Sequence, residues 1–338
     1  MPFGDIIGHD KPKTWMRAAL KHQRLAHAYL FYGEDAIGKR LFAFRLAQAL
    51  SCDSPPPGDE ADSCGQCRSC SQIEALIHPD FLLISPDTEK ANPQISIDCV
   101  RDLEHHVIYR PLFSPYKICV IDDADRLTLG AANALLKTLE EPPDHSVFFL
   151  ITSRPATMLS TVRSRCLSVP FTPQSQSAVE GALTLKRALP PEDARFLAFA
   201  TGCRVGQALT MDVEDTRTRQ SQFLSLVTDA PDSTITDLLM TAESLSKEGL
   251  FPESLTWFSS TLRDVLLARV GCDPSHLLNQ DHLSTFQELT QSISTAKLFD
   301  LIEELQSLER APKRNLNLQL NLETFLVKLQ ETLSPSSA

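Results

Sequence analysis

Two groups of residues have types and spacings suited to chemistry. Cys52, Cys64, Cys67 and Cys70 place four thiols within 19 residues. Two overlapping C-x-x-C turns bring ligands together, and the stretch Pro55-Pro56-Pro57-Gly58 lets Cys52 fold back towards them. Tetrahedral Zn²⁺, with Zn–S near ~2.3 Å, suits such a donor set, in a closed structural site with no open position for catalysis. Disulfides and an iron–sulfur cluster are the alternatives, the former disfavoured in a reducing compartment. The other five cysteines, Cys99, Cys119, Cys166, Cys203 and Cys272, are scattered and read as small buried residues.

The second group is Gly33-Glu34-Asp35-Ala36-Ile37-Gly38-Lys39, which fits G-x-x-x-x-G-K. In a phosphate-binding loop the glycines let backbone N–H groups approach phosphate oxygens, and Lys39 adds a charge beside a helix N-terminus. The next residue is normally Ser or Thr, whose hydroxyl ligates Mg²⁺. Here it is Arg40, a permanent cation that cannot ligate a metal. Glu34 and Asp35 add negative charge to a loop meant for polyphosphate. Asp122, ending the apolar run Ile118 to Ile121, stands where such proteins hold their metal-associated carboxylate. Asp123 follows where a Glu would orient water. Being one methylene shorter, it stops roughly an ångström short, and such misplacement costs ~100-fold in rate. Both departures argue against hydrolysis. They leave open whether the loop is vestigial or still holds nucleotide, and Asp123 and Asp125 have a second reading as caps of the turn near Arg126.

A third feature, Thr161-Val162-Arg163-Ser164-Arg165-Cys166, sets two arginines in a loop before a strand. A guanidinium there can complete a neighbouring subunit's nucleotide site, or pair with acidic neighbours on its own surface.

These residues must be held by an ordered scaffold. Apolar runs at Ala28 to Tyr32, Phe81 to Ile84, Tyr116 to Ile121, Val147 to Thr152 and Ser168 to Phe171 predict strands. Helical patterns lie between them, at about Trp15 to Leu25, Gly38 to Leu50, Asp98 to Ile108 and Thr128 to Glu140. The alternation predicts a parallel α/β sheet over residues 1–171. Short helices follow over 172–211, around Ser175 to Leu183, Pro191 to Ala200 and Gly206 to Met211. The remainder, 212–338, reads as all helix, broken at Ala230-Pro231, Gly249, Gly271 and Pro312, with a disordered tail from Ser334. Leu298, Ile302, Leu305 and Leu308 mark one buried face there.

Composition narrows the function. The 338 residues carry a net charge of −11, with 18 basic and 21 acidic residues over positions 1–171 and 14 against 22 beyond. A broad electrostatic footprint for nucleic acid is thereby excluded, so any DNA contact is local or made through partners. With no signal-peptide pattern and no long apolar run, a cytoplasmic protein without a membrane span is expected.

Taken together, the chain resembles the bacterial clamp-loader subunits of the AAA+ class that serve DNA polymerase III. The resemblance runs through Phe3 to His9, His27 to Phe31, the phosphate loop, the four cysteines, His78-Pro79-Asp80, Ile121 to Asp125, Ala134 to Pro143 and Ser164-Arg165-Cys166, then Asn317 to Glu323. It implies an α/β P-loop domain, a small helical lid and an all-α collar that oligomerises. Active tau/gamma members carry a hydroxyl residue after the loop lysine, Asp-Glu after the strand and an arginine in the lid. This chain has Arg40, Asp123 and Gly206, with Arg204 two residues earlier. Ser164-Arg165-Cys166 is intact, so the resemblance implies that Arg165 is a finger donated to an adjoining ATPase. It further implies a non-hydrolysing role beside delta and tau/gamma subunits, acting on a sliding clamp and primer-template DNA. An active tau/gamma-type ATPase and a zinc-dependent DNA-binding protein are the rivals; few basic residues near the cysteines, essentially Arg68, speak against the latter.

Overall fold

The computed structural model describes residues 6–56, 62–87, 93–248, 250–290, 293–310 and 317–334. Phe3 to Asp5, Pro57, Gly58, Gly249, Pro312 and the tail from Pro335 lie outside these. The chain divides into two compact units, Met1–Thr210 and Met211–Ala338.

The first unit runs α1 (Asp10–Lys21), β1 (Ala28–Tyr32), α2 (Lys39–Ser51), α3 (Arg68–Glu74), β2 (Phe81–Ile84), α4 (Ile97–Ile108), β3 (Lys117–Ile121), α5 (Leu129–Glu140), β4 (Ser146–Thr152), α6 (Ser160–Arg163) and β5 (Leu167–Pro170). Three helices follow, α7 (Gln176–Arg187), α8 (Pro191–Ala200) and α9 (Val205–Thr210). The five strands form one parallel sheet in the order β2-β3-β4-β1-β5. Successive strand side chains point to opposite faces, so β1 to β4 feed two cores, while the edge strand β5 buries only Val169. Tyr29, Phe31, Phe149 and Val120 pack with Met16, Phe42 and Leu46 of α1 and α2 on one face. Leu30, Phe148, Leu150 and Cys119 pack with Leu103 of α4, Leu135 of α5 and Val162 of α6 on the other. Covering both faces with helices explains why the strands are continuous apolar runs. β1 lies between β4 and β5, so the loop leaving β1 opens at the carboxyl ends of the strands, where α/β sheets hold ligands.

The second unit contains α10 (Val213–Thr228), α11 (Ile235–Lys247), α12 (Phe251–Val270), α13 (Leu283–Thr290), α14 (Thr295–Arg310) and α15 (Leu318–Leu333). Phe223, Phe258 and Phe325 meet at its centre, with ring separations of 5.5 and 5.3 Å. A reciprocal capping box of Thr234 and Asp237 starts α11, and Asn317 caps α15 through the Leu320 N–H. No helix among the described residues is long and apolar enough to cross a membrane.

Several expectations need correction. The first helix begins at Asp10, ahead of its apolar stripe, with Pro12 in the first turn where a missing N–H costs nothing. The buried face of α14 runs through Leu298, Leu301 and Leu305, leaving Ile302 and Leu308 half-buried. Cys119 and Cys166 are buried as expected, but Cys99, Cys203 and Cys272 are only partly so.

Candidate functional site

The loop after β1 follows Gly33, whose φ is +149° and where a Cβ would sit 2.2 Å from the Phe171 carbonyl oxygen. Only glycine fits that approach. Lys39, the first residue of α2, turns its ammonium back onto its own loop. Its Nζ donates to the Gly33 carbonyl at 2.7 Å and also to the Glu34 carbonyl. Burial lowers its pKa, while Asp35, Asp122, Asp123 and Asp125 hold it up. Arg40 lies 3.3 Å from the Asp122 carboxylate, at the place expected for a metal-binding hydroxyl, and stacks over the Phe44 ring. Burial raises the pKa of Asp122, and Arg40 partly offsets it. Asp123, at φ +48°, pairs with Arg126 at 3.3 Å. Neither Asp123 nor Asp125 caps the following turn. Asp125 instead accepts from Thr152 at 2.7 Å and from Arg154.

Two further contacts close this end of the sheet. The Gly206 N–H of α9 donates to the Ala36 carbonyl at 2.8 Å, and a Cβ at Gly206 would stand 2.6 Å from that oxygen. Arg204 turns away, its Nε donating to the Thr201 carbonyl at 2.8 Å. His9 donates from Nε2 to the Ile37 carbonyl at 2.7 Å and receives the Gln174 amide on Nδ1 at 3.0 Å. Burial lowers its pKa, as suits the neutral ring. A cavity of about 280 Å³ remains, lined by Gly38, Lys39, Arg40, Asp122, Asp123 and Gly206. Five of the six residues selected for a phosphate site, Gly38, Lys39, Arg40, Asp122 and Asp123, line it, and the sixth, Gly33, shapes the turn. The His9–Gln174 strap was not foreseen, since its partners are 165 residues apart.

The four cysteines converge, their sulfurs all within 4.8 Å of one another and Cys52 and Cys67 at 4.0 Å. A tetrahedron with ~2.3 Å bonds has S–S edges of about 3.8 Å, so the donor set fits a Zn²⁺ ion. The backbone N–H groups of Gln66 and Cys67 pull the Cys64 thiol down to about 7, whereas burial pushes Cys52 and Cys70 up. A bound dication would hold all four as thiolates. Outer groups fix the frame. Asp53 accepts from the Ser69 N–H and hydroxyl, and Gln48 donates to the Cys70 carbonyl at 2.9 Å while Arg45 pairs with Glu74.

Arg165 lies between α6 and β5, its side chain one-third exposed. Its guanidinium donates to Glu140 at 2.5 Å and to the Thr161 carbonyl at 2.9 Å. Asp80 stands in the sequence only as the end of His78-Pro79-Asp80. Its carboxylate is fully buried, accepts from the N–H groups of Leu112, Phe113 and Ser114, and pairs with Lys117 at 2.9 Å. Burial alone would raise its pKa, but those donors bring it to about 2.

A five-stranded parallel sheet with a glycine loop after β1, an aspartate after β3 and helices on both faces defines a P-loop α/β protein of the AAA+ class. Family models described as DNA polymerase III, delta subunit, and DNA polymerase III, delta subunit, C terminal, match residues 8–175 and 215–331. The DNA polymerase III subunit delta-prime of Pseudomonas aeruginosa is 33% identical over 90% of this chain and 91% of its own. That of Bacillus subtilis is 30% identical over 93% of both. The chain belongs to the DNA polymerase III delta-prime subunit family. Among solved structures, a DNA polymerase III gamma subunit-related protein from Thermotoga maritima aligns over 94% of this chain and 99% of that one, at 21% identity and a TM-score of 0.46.

Proposed function

We propose that this protein is the non-hydrolysing stator subunit of a DNA polymerase III clamp loader in the cytoplasm. In this reading it assembles with delta and tau/gamma subunits to place a sliding clamp on primer-template DNA. Residues 1–171 form the P-loop domain, 172–211 the lid and 212–338 the oligomerising collar. A structural Zn²⁺ held by Cys52, Cys64, Cys67 and Cys70 secures the loop between α2 and α3. The observation that carries the reading is the commitment of the phosphate-site charges to the chain itself. Lys39 is spent on Gly33 and Glu34, and Asp122 faces Arg40. A nucleotide would have to displace both, and Arg40 and Asp123 stand where a hydroxyl would ligate Mg²⁺ and a Glu would aim water.

Arg165 is assigned the opposite role, as a finger offered to the neighbouring ATPase. Its partner Glu140 is half exposed, and an exposed pair of this kind is worth only ~0–1 kcal/mol, so a phosphate can take the guanidinium over at little cost. The purified chain is expected to turn over ATP at background rate, unchanged by Lys39→Ala. In the assembled loader, Arg165→Ala should depress DNA-stimulated ATPase with assembly intact. Turnover by the isolated chain that vanishes in Lys39→Ala would establish an active ATPase instead, and an unchanged rate in Arg165→Ala would remove the finger.

A further inference from the structure

Helix α1 has a face that this function leaves unused. Residues 10–24 hold five basic side chains, Lys11, Lys13, Arg17, Lys21 and Arg24, against one acidic, Asp10, in a chain of net charge −11. The inner side of the helix is fixed, with Pro12 and Met16 buried and Arg17 at 3.3 Å from Asp62. The outer side carries Trp15, 50% exposed, while the other tryptophan, Trp257, is buried at 4%. Lys11 precedes Trp15 by one helical turn and His22 follows by two. At about 100° per residue the three form one stripe within about 40° of the indole. Lys21, the last residue of α1 and about 120° round from the indole, and Arg24, three residues past the helix, are exposed, and none of Lys11, Lys21 and Arg24 has a carboxylate partner among the described residues.

A large ring left in water beside unpaired cations matches the chemistry of single-stranded nucleic acid, whose unstacked bases offer a planar partner and whose phosphates lie one nucleotide away. In a duplex the bases are already stacked. An acidic peptide would use the cations and leave the indole uncovered. We propose that the outer face of α1 and its C-terminal end form a contact surface for single-stranded nucleic acid, one base stacking on Trp15, the adjoining phosphate meeting Lys11 and the strand running on towards Lys21 and Arg24. The inference stands on α1 alone and does not depend on the stator reading. Because the rest of the chain is acidic, the contact is weak and salt-sensitive.

The test is fluorescence anisotropy of labelled oligo(dT) titrated with the full-length protein at low salt. Three phosphate contacts predict a slope of log K against log salt of about −2, and Lys11→Ala should reduce it by about 0.7. Trp15→Ala should weaken binding about five- to hundredfold and Trp15→Phe much less. Oligo(dT) should also quench tryptophan fluorescence in the parent protein and not in Trp15→Phe, since Trp257 is buried. The double variant Lys11→Glu, Lys21→Glu leaves the helix packing untouched and should abolish binding. Absence of saturable binding at low salt, or binding unaffected by Trp15→Ala in a protein with an unchanged melting curve, would overturn the proposal. Polyglutamate binding with the same dependence on Trp15 would overturn it too, assigning the face to acidic polypeptides.

Discussion

The phosphate loop and the four-cysteine loop are both ligand-type motifs, and their groups are arranged in opposite ways. In the first, three of the charged groups have partners within the chain: Lys39 its own loop carbonyls, Asp122 Arg40, Asp123 Arg126. In the second, four soft donors point at one another, supported by backbone N–H groups and outer residues that fix their directions. The difference teaches that the backbone shape of a motif and the use of its charged groups are set separately. Gly33 and Gly38 still build the turn, whereas ligand binding depends on whether donors converge with nothing else to satisfy them.

The largest effect should come from the convergent site. Cys70→Ser, or chelation of the parent protein, should cost more than about 5 kcal/mol, because metal binding free energy is folding free energy for such a loop. Thermal unfolding with and without chelator, with metal content by mass spectrometry, measures it. Cys99→Ser serves as the control, and equal loss there would erase the contrast. Next comes a fully self-satisfied group. Asp80→Asn should cost about 3–5 kcal/mol in urea unfolding, since it strands the buried Lys117. Asp80 has a folded pKa of about 2, below that of an unfolded aspartate, so its stabilisation is complete above about pH 4 and fades as pH falls through 2. The parent protein should show that acid limb and Asp80→Asn should lack it.

Smaller effects test the closed loop. Gly206→Ala places a Cβ against the Ala36 carbonyl and should cost about 1–3 kcal/mol by forcing α9 off the loop. A melting temperature equal to the parent's would show that the close approach carries no stability. Smallest of all, Arg40→Ser removes a half-exposed pair and should change stability by less than about 1 kcal/mol. It should also leave ATP turnover at background, because Lys39 still meets the Gly33 carbonyl and Asp123 still pairs with Arg126. If Arg40→Ser alone restored turnover, the two loops would differ by one residue and not by design.

Much of this was legible in the chain. All five strands appear close to their apolar runs; β1, β3 and β4 are covered on both faces, which demands mostly apolar side chains, and β5 was marked by its short run although only Val169 is buried. The cysteine cluster was readable for a similar reason, ligands close in sequence being brought together by local turns. Legibility failed where the second partner was distant. Asp125 sat beside a turn it could have capped and instead meets Thr152 and Arg154. His9 showed no signal for Gln174, nor Asp80 for the N–H groups of residues 112–114. The face of α14 slipped from Ile302 to Leu301 because spacing alone cannot say which side α12 and α15 cover.

The sequence by itself determined the order of strands and helices, the glycine turn, the four-thiol donor set and the residues missing from an active phosphate site. Those are properties of residue type and local spacing. Only the tertiary structure decided what the remaining charges do: that Lys39 bends onto its own loop, that Gly206 lets α9 rest on Ala36, and that Arg165 leans on Glu140. A charged side chain is satisfied by whichever partner the fold brings within about 3 Å. Such partners come from segments that the sequence keeps far apart.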